Sequence, residues 1–214
     1  MYKKGIQTRN LIYQTAKKIF YENGYKKARI QDITDAADVP IGLFTYYFKS
    51  KDGIVQQFFS EFMTQIFSRV DETLHDKVEN SIKLHALTSC ISYDIILNDQ
   101  NNRRFFYETI QRKSNYRLLS QLAYEVYRQN IEDFNVEVSD QTFEDLIRVD
   151  FGARREFFLY YFEEKQQHSI AEIVRVINGI FPRLIRIDQA IVDKELEEGI
   201  ALMDSVDYQD IHLL

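Results

Sequence analysis

There is no tryptophan in this chain, one cysteine, and only two prolines, Pro40 and Pro182, among 214 residues. A single thiol, Cys90, cannot close a disulfide within one chain, so no disulfide framework is expected and the composition suits a reducing cytoplasm. Two prolines leave long stretches free to run as helix. No apolar run approaches the roughly 20 residues needed to cross a bilayer, so no membrane partner is expected. The start, MYKKGIQTRN, carries lysines without the apolar run of a signal peptide. Catalytic signatures are missing too: there is no glycine-rich phosphate loop and no serine elbow. Glu72 and His75 form one Glu-x-x-His unit, where helical di-iron sites need two, and His85 and Cys90 do not align on one helix face as zinc ligands would. The sequence therefore predicts no enzyme, no metal site and no cofactor.

What is present is an ordinary soluble balance, 45% apolar and 28% charged, with an aromatic content of 14% that is all Phe and Tyr. Charge is unevenly placed. Residues 1–50 hold nine Lys or Arg against four Asp or Glu, a net +5, while the whole chain carries −6. A basic head on an acidic body attracts polyanions at one end only.

The pattern is helical throughout. Thr8 to Asn23 reads as an amphipathic helix with Ile12, Ala16, Ile19 and Phe20 on one side, closed by Gly24 and packed by Tyr25. Two short apolar patterns follow back to back, Ile30, Ile33 and Ala37, then Ile41, Phe44 and Phe48, separated only by Asp38, Val39 and Pro40. Pro40 suits the opening turn of the second helix and Asp38 is placed to accept from an exposed amide there. Two short helices joined by a tight turn make a helix-turn-helix, whose second helix enters a DNA major groove. Ser50 caps a fourth helix running to about Thr73, with Ile54 and Phe58 toward the head and Phe62, Ile66 and Val70 toward the body. Beyond it, helices are predicted near 78–97, 101–113, 115–132, 140–163, 168–178 and 183–203. The expected division is a DNA-binding domain over 1–50 and a helical ligand-binding and dimerisation domain over 51–214, with 51–74 as the linking helix.

The first 52 residues also carry a resemblance. Leu11, Ile12, Ala16, Ile19, Phe20 and the Gly24-Tyr25 pair, then Ile30, Asp32, Ile33, Ala36, Ala37 and Val39, and finally Gly42, Tyr46, Phe48, Ser50, Lys51 and Asp52 resemble the DNA-binding domain of the TetR family of transcriptional repressors. The chain departs from that pattern in four places. Pro40 stands where a small polar residue is usual, Thr45 replaces a tyrosine, Asp38 replaces the turn glycine, and Ala28 and Arg29 occupy the place of capping hydroxyls. The resemblance implies an all-α fold and a symmetric dimer. It also implies that the residues matching Tyr46, Tyr47 and Lys51 touch the DNA backbone, and that Gly42 lets the helix sit close to the bases.

By position the DNA-facing candidates are Ile41, Gly42, Leu43, Thr45 and Tyr46, with Tyr47, Lys51 and Arg29 toward phosphates. Ile41 and Leu43 offer thymine methyls an apolar contact and Thr45 can bond several base edges. In the body, His85, Ser89, Cys90, Tyr93, Phe106, Tyr107, Tyr116, Tyr124 and Tyr127 combine aromatic walls with single polar groups, which suits a small apolar or aromatic effector. Asp150 and Arg154, four apart, are expected to pair on a helix surface. Gly152, Ala153, Phe157, Tyr160 and Tyr161 in one proposed helix, with Ile187 and Ile191 in the last, are the candidates for a dimer interface, and the resemblance implies a four-helix bundle made by 140–163 and 183–203 with their twins.

The leading functional expectation is a ligand-responsive repressor, a homodimer on a palindromic double-stranded operator that is released by a small organic effector. Two alternatives stay open: an activator or corepressor-dependent regulator of the same fold, and a helical protein-interaction module that has lost specific DNA binding.

Overall fold

A computed structural model describes residues 3–112, 120–164 and 167–214, with the backbone alone over 120–123. Among the described residues every regular element is helical. The head is α1 (Lys3–Lys27), α2 (Ile30–Ala36) and α3 (Ile41–Phe48), and α4 (Lys51–Leu74) leads out of it. The body adds α5 (Ser81–Asn98), α6 (Gln100–Ile110), α7 (Ser120–Asp133), α8 (Asp140–Glu163), α9 (Ile170–Asn178), α10 (Ile180–Leu184) and α11 (Gln189–Ala201).

Local chemistry explains most helix starts. Ser50 accepts from the Gly53 amide at 3.1 Å, Asn80 from Lys83 at 3.0 Å and Asp99 from Asn102 at 2.7 Å, each satisfying an otherwise orphaned donor. Ser169 and Glu172 cap α9 reciprocally. In α2 the missing hydroxyl cap is replaced from inside the helix, where the Asp32 carboxylate accepts the Arg29 amide at 3.1 Å. At α3 the expectation is corrected: Pro40 is the residue before the helix, and no side chain caps it. Asp38 instead adopts φ +51°, the left-handed turn conformation that a glycine would hold and that aspartate tolerates.

Other boundaries also move. Helix α1 starts five residues before Thr8, and its run changes direction at Gly24, φ +74°. Helix α6 ends at Ile110 rather than 113. The predicted helix over 183–203 is two elements, because the chain turns after α10 with Arg186 at φ +66° before Asp188 caps α11. Gly53 is more than a weak spot in α4, since a Cβ there would collide with the Phe48 carbonyl.

Helix α5 is buried on nearly every side and packs against α4, α6, α7, α9 and α11. One apolar cluster runs continuously from Ile12 and Phe44 in the head through Phe58, Phe62 and Phe105 to Phe158 in α8. A second fills the space among α5, α7, α8, α9 and α10. The C-terminal residues are docked: Ile211 and Leu213 are buried, Arg69 of α4 grips Asp210 through two bonds of 2.9 Å, and the Tyr208 hydroxyl donates to Asp94 at 3.0 Å.

Candidate functional site

The head presents one face of α3. Phe44 and Phe48 point inward and are fully buried, which turns Ile41, Gly42, Thr45 and Tyr46 outward; Ile41 is 49% exposed and Tyr46 66%. Among the described residues nothing lies within 4 Å of the position a Cβ would take on Gly42, so no packing seen there demands glycine. Leu43 and Tyr47 are partly buried against the head core, and the Tyr46 and Tyr47 rings meet edge to face at 4.9 Å. Arg29, Lys26, Lys27 and Lys49 are exposed around this face.

Lys51 is placed differently from the expectation of a phosphate contact. Its ammonium donates to the carbonyl of Tyr25 and, at 2.6 Å, to that of Ala28, and lies 4.2 Å from the centre of the Tyr25 ring. It clasps the end of α1 to the start of α4. Burial, with Arg112 nearby, lowers its pKa.

The body contains a cavity of about 140 Å³. Phe59, Phe62, Met63 and Phe67 of α4 form one wall, Phe106 and Ile110 of α6 another, and Phe151 and Phe158 of α8 a third. His85, Ser89, Tyr93 and Tyr127 supply polar atoms, as do Arg154 and Arg155. Five expected residues thus come together here: His85, Ser89, Tyr93, Phe106 and Tyr127. Three do not. Cys90 sits in the second core cluster, where burial pushes its thiol up to about 12. Tyr107 turns toward α8 and donates to Glu163 at 3.2 Å. Tyr124 stacks edge-on against Phe143 and accepts from Arg128. Tyr116 lies outside the described residues.

The Asp150 and Arg154 pair is not on a surface, as its spacing alone suggested. Asp150 is fully buried and Arg154 nearly so, with Nε 2.7 Å from the Asp150 carboxylate, which also accepts from the Tyr127 hydroxyl. Among the described residues, Nη2 of Arg154 and Oδ1 of Asp150 have no hydrogen-bond partner. His85 is partly exposed because it borders the cavity; burial, and secondarily Arg154, holds its pKa down at about 3, so the imidazole is neutral. The sequence signals neither the α4 wall nor Arg154: α4 reads as a connecting rod, and Arg154 of α8 has the spacing of a surface pair with Asp150.

Helix α6 touches both regions. While Phe106 and Ile110 line the cavity, Phe105 packs on Phe20 and Tyr25 of α1. Arg104 donates to the carbonyls of Tyr21 and Glu22 at 2.8 and 2.9 Å, Glu108 accepts the Lys26 amide at 2.6 Å, and Arg112 donates to the Tyr25 hydroxyl at 3.2 Å.

On the far side of the body, Gly152, Ala153 and Tyr160 of α8 are exposed together with Val149, and Val176 of α9 and Ile191 of α11 are exposed as well. Phe157 is partly buried. Two expected interface residues are corrected: Tyr161 and Ile187 are buried within this chain's own core, Ile187 because the turn after α10 points it inward. Among the described residues no group of three or more His, Cys, Asp or Glu could hold a metal, and no helix is long and apolar enough to cross a membrane.

Comparison with known proteins agrees with the head. Residues 12–58 match the family described as bacterial regulatory proteins, tetR family. The chain is 27% identical over 108 residues to the "Probable HTH-type transcriptional regulator YttP" of Bacillus subtilis (strain 168), covering 49% of this chain and 51% of that one. It is 35% identical over 68 residues to the HTH-type transcriptional repressor DhaR of Mycobacterium sp. (strain GP1), covering 32% and 34%. The chain therefore spans about half the length, or less, of these curated relatives. Over the whole fold it is similar to RolR solved with resorcinol, with a TM-score of 0.62 at 17% identity, covering 91% of this chain and 95% of that one. RolR without ligand gives a TM-score of 0.59 at 16% identity, covering 88% and 96%.

Proposed function

We infer that this chain, which belongs to the tetR family of bacterial regulatory proteins, is a ligand-responsive transcriptional regulator: a homodimeric repressor that binds a palindromic operator through α3 and lets go when a small effector fills the body cavity. The observation that carries this reading is the shared wall. Helices α4 and α6 each line the cavity and each continue into contacts with the head, so an occupant cannot displace Phe62 or Phe106 without loading the elements that hold α1 and α3. The division into a head over 1–50 and a body over 51–214, with 51–74 linking them, is on this view functional rather than structural, since one apolar core crosses it.

Binding to DNA is assigned to Ile41, Gly42, Thr45 and Tyr46 for the groove, with Leu43 and Tyr47 at its margin and Arg29 beside the phosphates. The dimer face is assigned to Val149, Gly152, Ala153 and Tyr160 of α8 with Val176 of α9, where exposed apolar groups and small residues on one side let a twin helix approach. Phe157 and Ile191 border it. A two-fold dimer must hold its recognition helices about 34 Å apart to read one face of DNA, and an effector needs to prefer the other arrangement by only ~1–3 kcal/mol to change operator affinity about 5- to 150-fold. RolR, whose fold is similar, was solved with resorcinol, a single-ring molecule of the size this cavity admits.

The test measures the distance between spin labels on the two α3 helices in the free protein, with selected operator DNA, and with an effector. An effector that weakens operator binding is expected to shift that distance. A large loss of affinity at unchanged distance would refute the coupling, and a mass of 25.5 kDa rather than twice that in light scattering would remove the dimer and the palindrome together.

A further inference from the structure

The charge of the cavity says more about its occupant than the cavity's shape does, and the inference below rests on the reading of the body as an effector site. Two guanidinium groups line the cavity, Arg154 and Arg155, and among the described lining residues there is no Asp or Glu. Asp150, packed behind the wall, occupies the Nε edge of Arg154 at 2.7 Å, and among the described residues the buried Nη2 meets no acceptor, in a side chain that is nine-tenths buried. Arg155 directs Nε and Nη2 at the carbonyls of Ile110 and Gln111, at 2.9 and 3.1 Å, and no ion pair to it is found among the described residues. Two cations against one carboxylate leave this site one positive charge in excess. The neutral imidazole of His85 adds a donor without adding charge. A volume of about 140 Å³ is close to the ~150 Å³ of an engineered apolar cavity that holds benzene, so one ring fits and two do not.

We propose that the cavity binds a single-ring aromatic monoanion, with its carboxylate on the Arg154 guanidinium beside His85 and Tyr93 and its ring among Phe59, Phe62 and Phe106. A carboxylate supplies the missing acceptor through a charge-assisted bond and cancels the excess charge; an uncharged phenol supplies only the acceptor, and a plain ring neither. Burying the anion is tolerable only because the cation is already there and already desolvated.

Calorimetric titration of the full-length chain near neutral pH with benzoate, resorcinol and toluene tests this. Benzoate is expected to bind about tenfold or more tightly than resorcinol, with toluene weakest. Asp150→Asn keeps an acceptor for Tyr127 and Arg154 but removes the opposing charge, and should widen the benzoate preference. Circular dichroism establishes that this variant is folded, and the ranking in the unmodified protein decides the matter whether or not it is. Resorcinol or toluene binding as tightly as benzoate would overturn the anion assignment and leave the effector-site reading intact. An unchanged preference in folded Asp150→Asn would also overturn it. Binding of none of the three would overturn the anion assignment and the effector site together.

Discussion

The head and the body use the same aromatic residues for opposite ends. In the head, Phe20, Tyr25, Phe44, Phe48 and Phe58 fill the interior completely, and even the polar tips are engaged, Tyr13 donating to Glu61 and Tyr25 to Asp52. In the body, Phe59, Phe62, Phe106 and Phe158 line a cavity of about 140 Å³, and among the described residues Nη2 of Arg154 and Oδ1 of Asp150 make no hydrogen bond. A close-packed core has one arrangement, whereas a cavity lined by apolar rings and a few polar groups can gain contacts and hydrogen bonds from an occupant.

The largest effect should come from deletion in the filled region. Phe44→Ala is expected to cost about 3–5 kcal/mol, whereas Phe62→Ala, which lines the cavity on one side, should fall at or below the low end of that range. Urea unfolding monitored by circular dichroism compares the two, and equal losses would break the contrast between head and body.

Lys51 sharpens the same contrast, because its clasp belongs to the rigid region. Lys51→Met should lose roughly 1.5–3 kcal/mol, the worth of hydrogen bonds to a charged donor, and should weaken binding to operator and unrelated DNA by loosening the head. The discriminating measurement is the salt dependence of DNA affinity. A clasp leaves the slope unchanged, while a lost phosphate contact lowers it by about one.

How much of this was legible in the sequence follows from how local each feature is. The head's motif is written in spacings of three and four residues, so Ile12, Phe44, Phe48 and the Ser50 cap could be placed from sequence. The Asp150–Arg154 pair has the spacing of any surface pair. Only Tyr127 on α7 and Tyr93 on α5, distant in sequence, make it buried, and neither partner can be read from the local pattern. The clasp of Lys51 is equally invisible in the local pattern, since its acceptors lie 26 and 23 residues back, around the end of α1. Ile187 was placed on an interface because its predicted helix ran through a turn that only Arg186's backbone reveals.

His85 tests whether the cavity is dry. Its folded pKa, near 3, lies below the unfolded value of 6.5, so the unfolded chain binds more protons between these values and stability rises with pH there. The contribution is fully present above about pH 6.5 and is lost as pH falls, at no more than about 1.4 kcal/mol per unit. His85→Phe should therefore flatten the acid limb of a stability-against-pH curve measured by urea unfolding. If the wild type and the variant lose stability in parallel from neutral pH downward, water reaches the imidazole and burial does not hold it neutral.

The smallest expected effect concerns apolar surface. The body carries apolar surface both around the cavity and outward at Val149, Tyr160, Val176 and Ile191, while the recognition face of the head carries it at Ile41, which is 49% exposed beside a glycine that leaves room for a close approach. An exposed isoleucine is common and by itself means little. Its place at the start of α3, with Gly42 and Thr45 on the same face and no strong hydrogen-bonding group among them but the threonine, gives it a partner in a thymine methyl. Ile41→Ala should then leave stability within about 0.5 kcal/mol, because the side chain packs on little, yet cost on the order of 1 kcal/mol in preference for the operator over the same site with thymine replaced. Binding to the two duplexes at one fixed salt concentration reads this difference directly. A variant that keeps the full preference would assign selectivity to Thr45, Tyr46 or the deformability of the DNA, and the outward apolar surface of the head would then be ordinary surface after all.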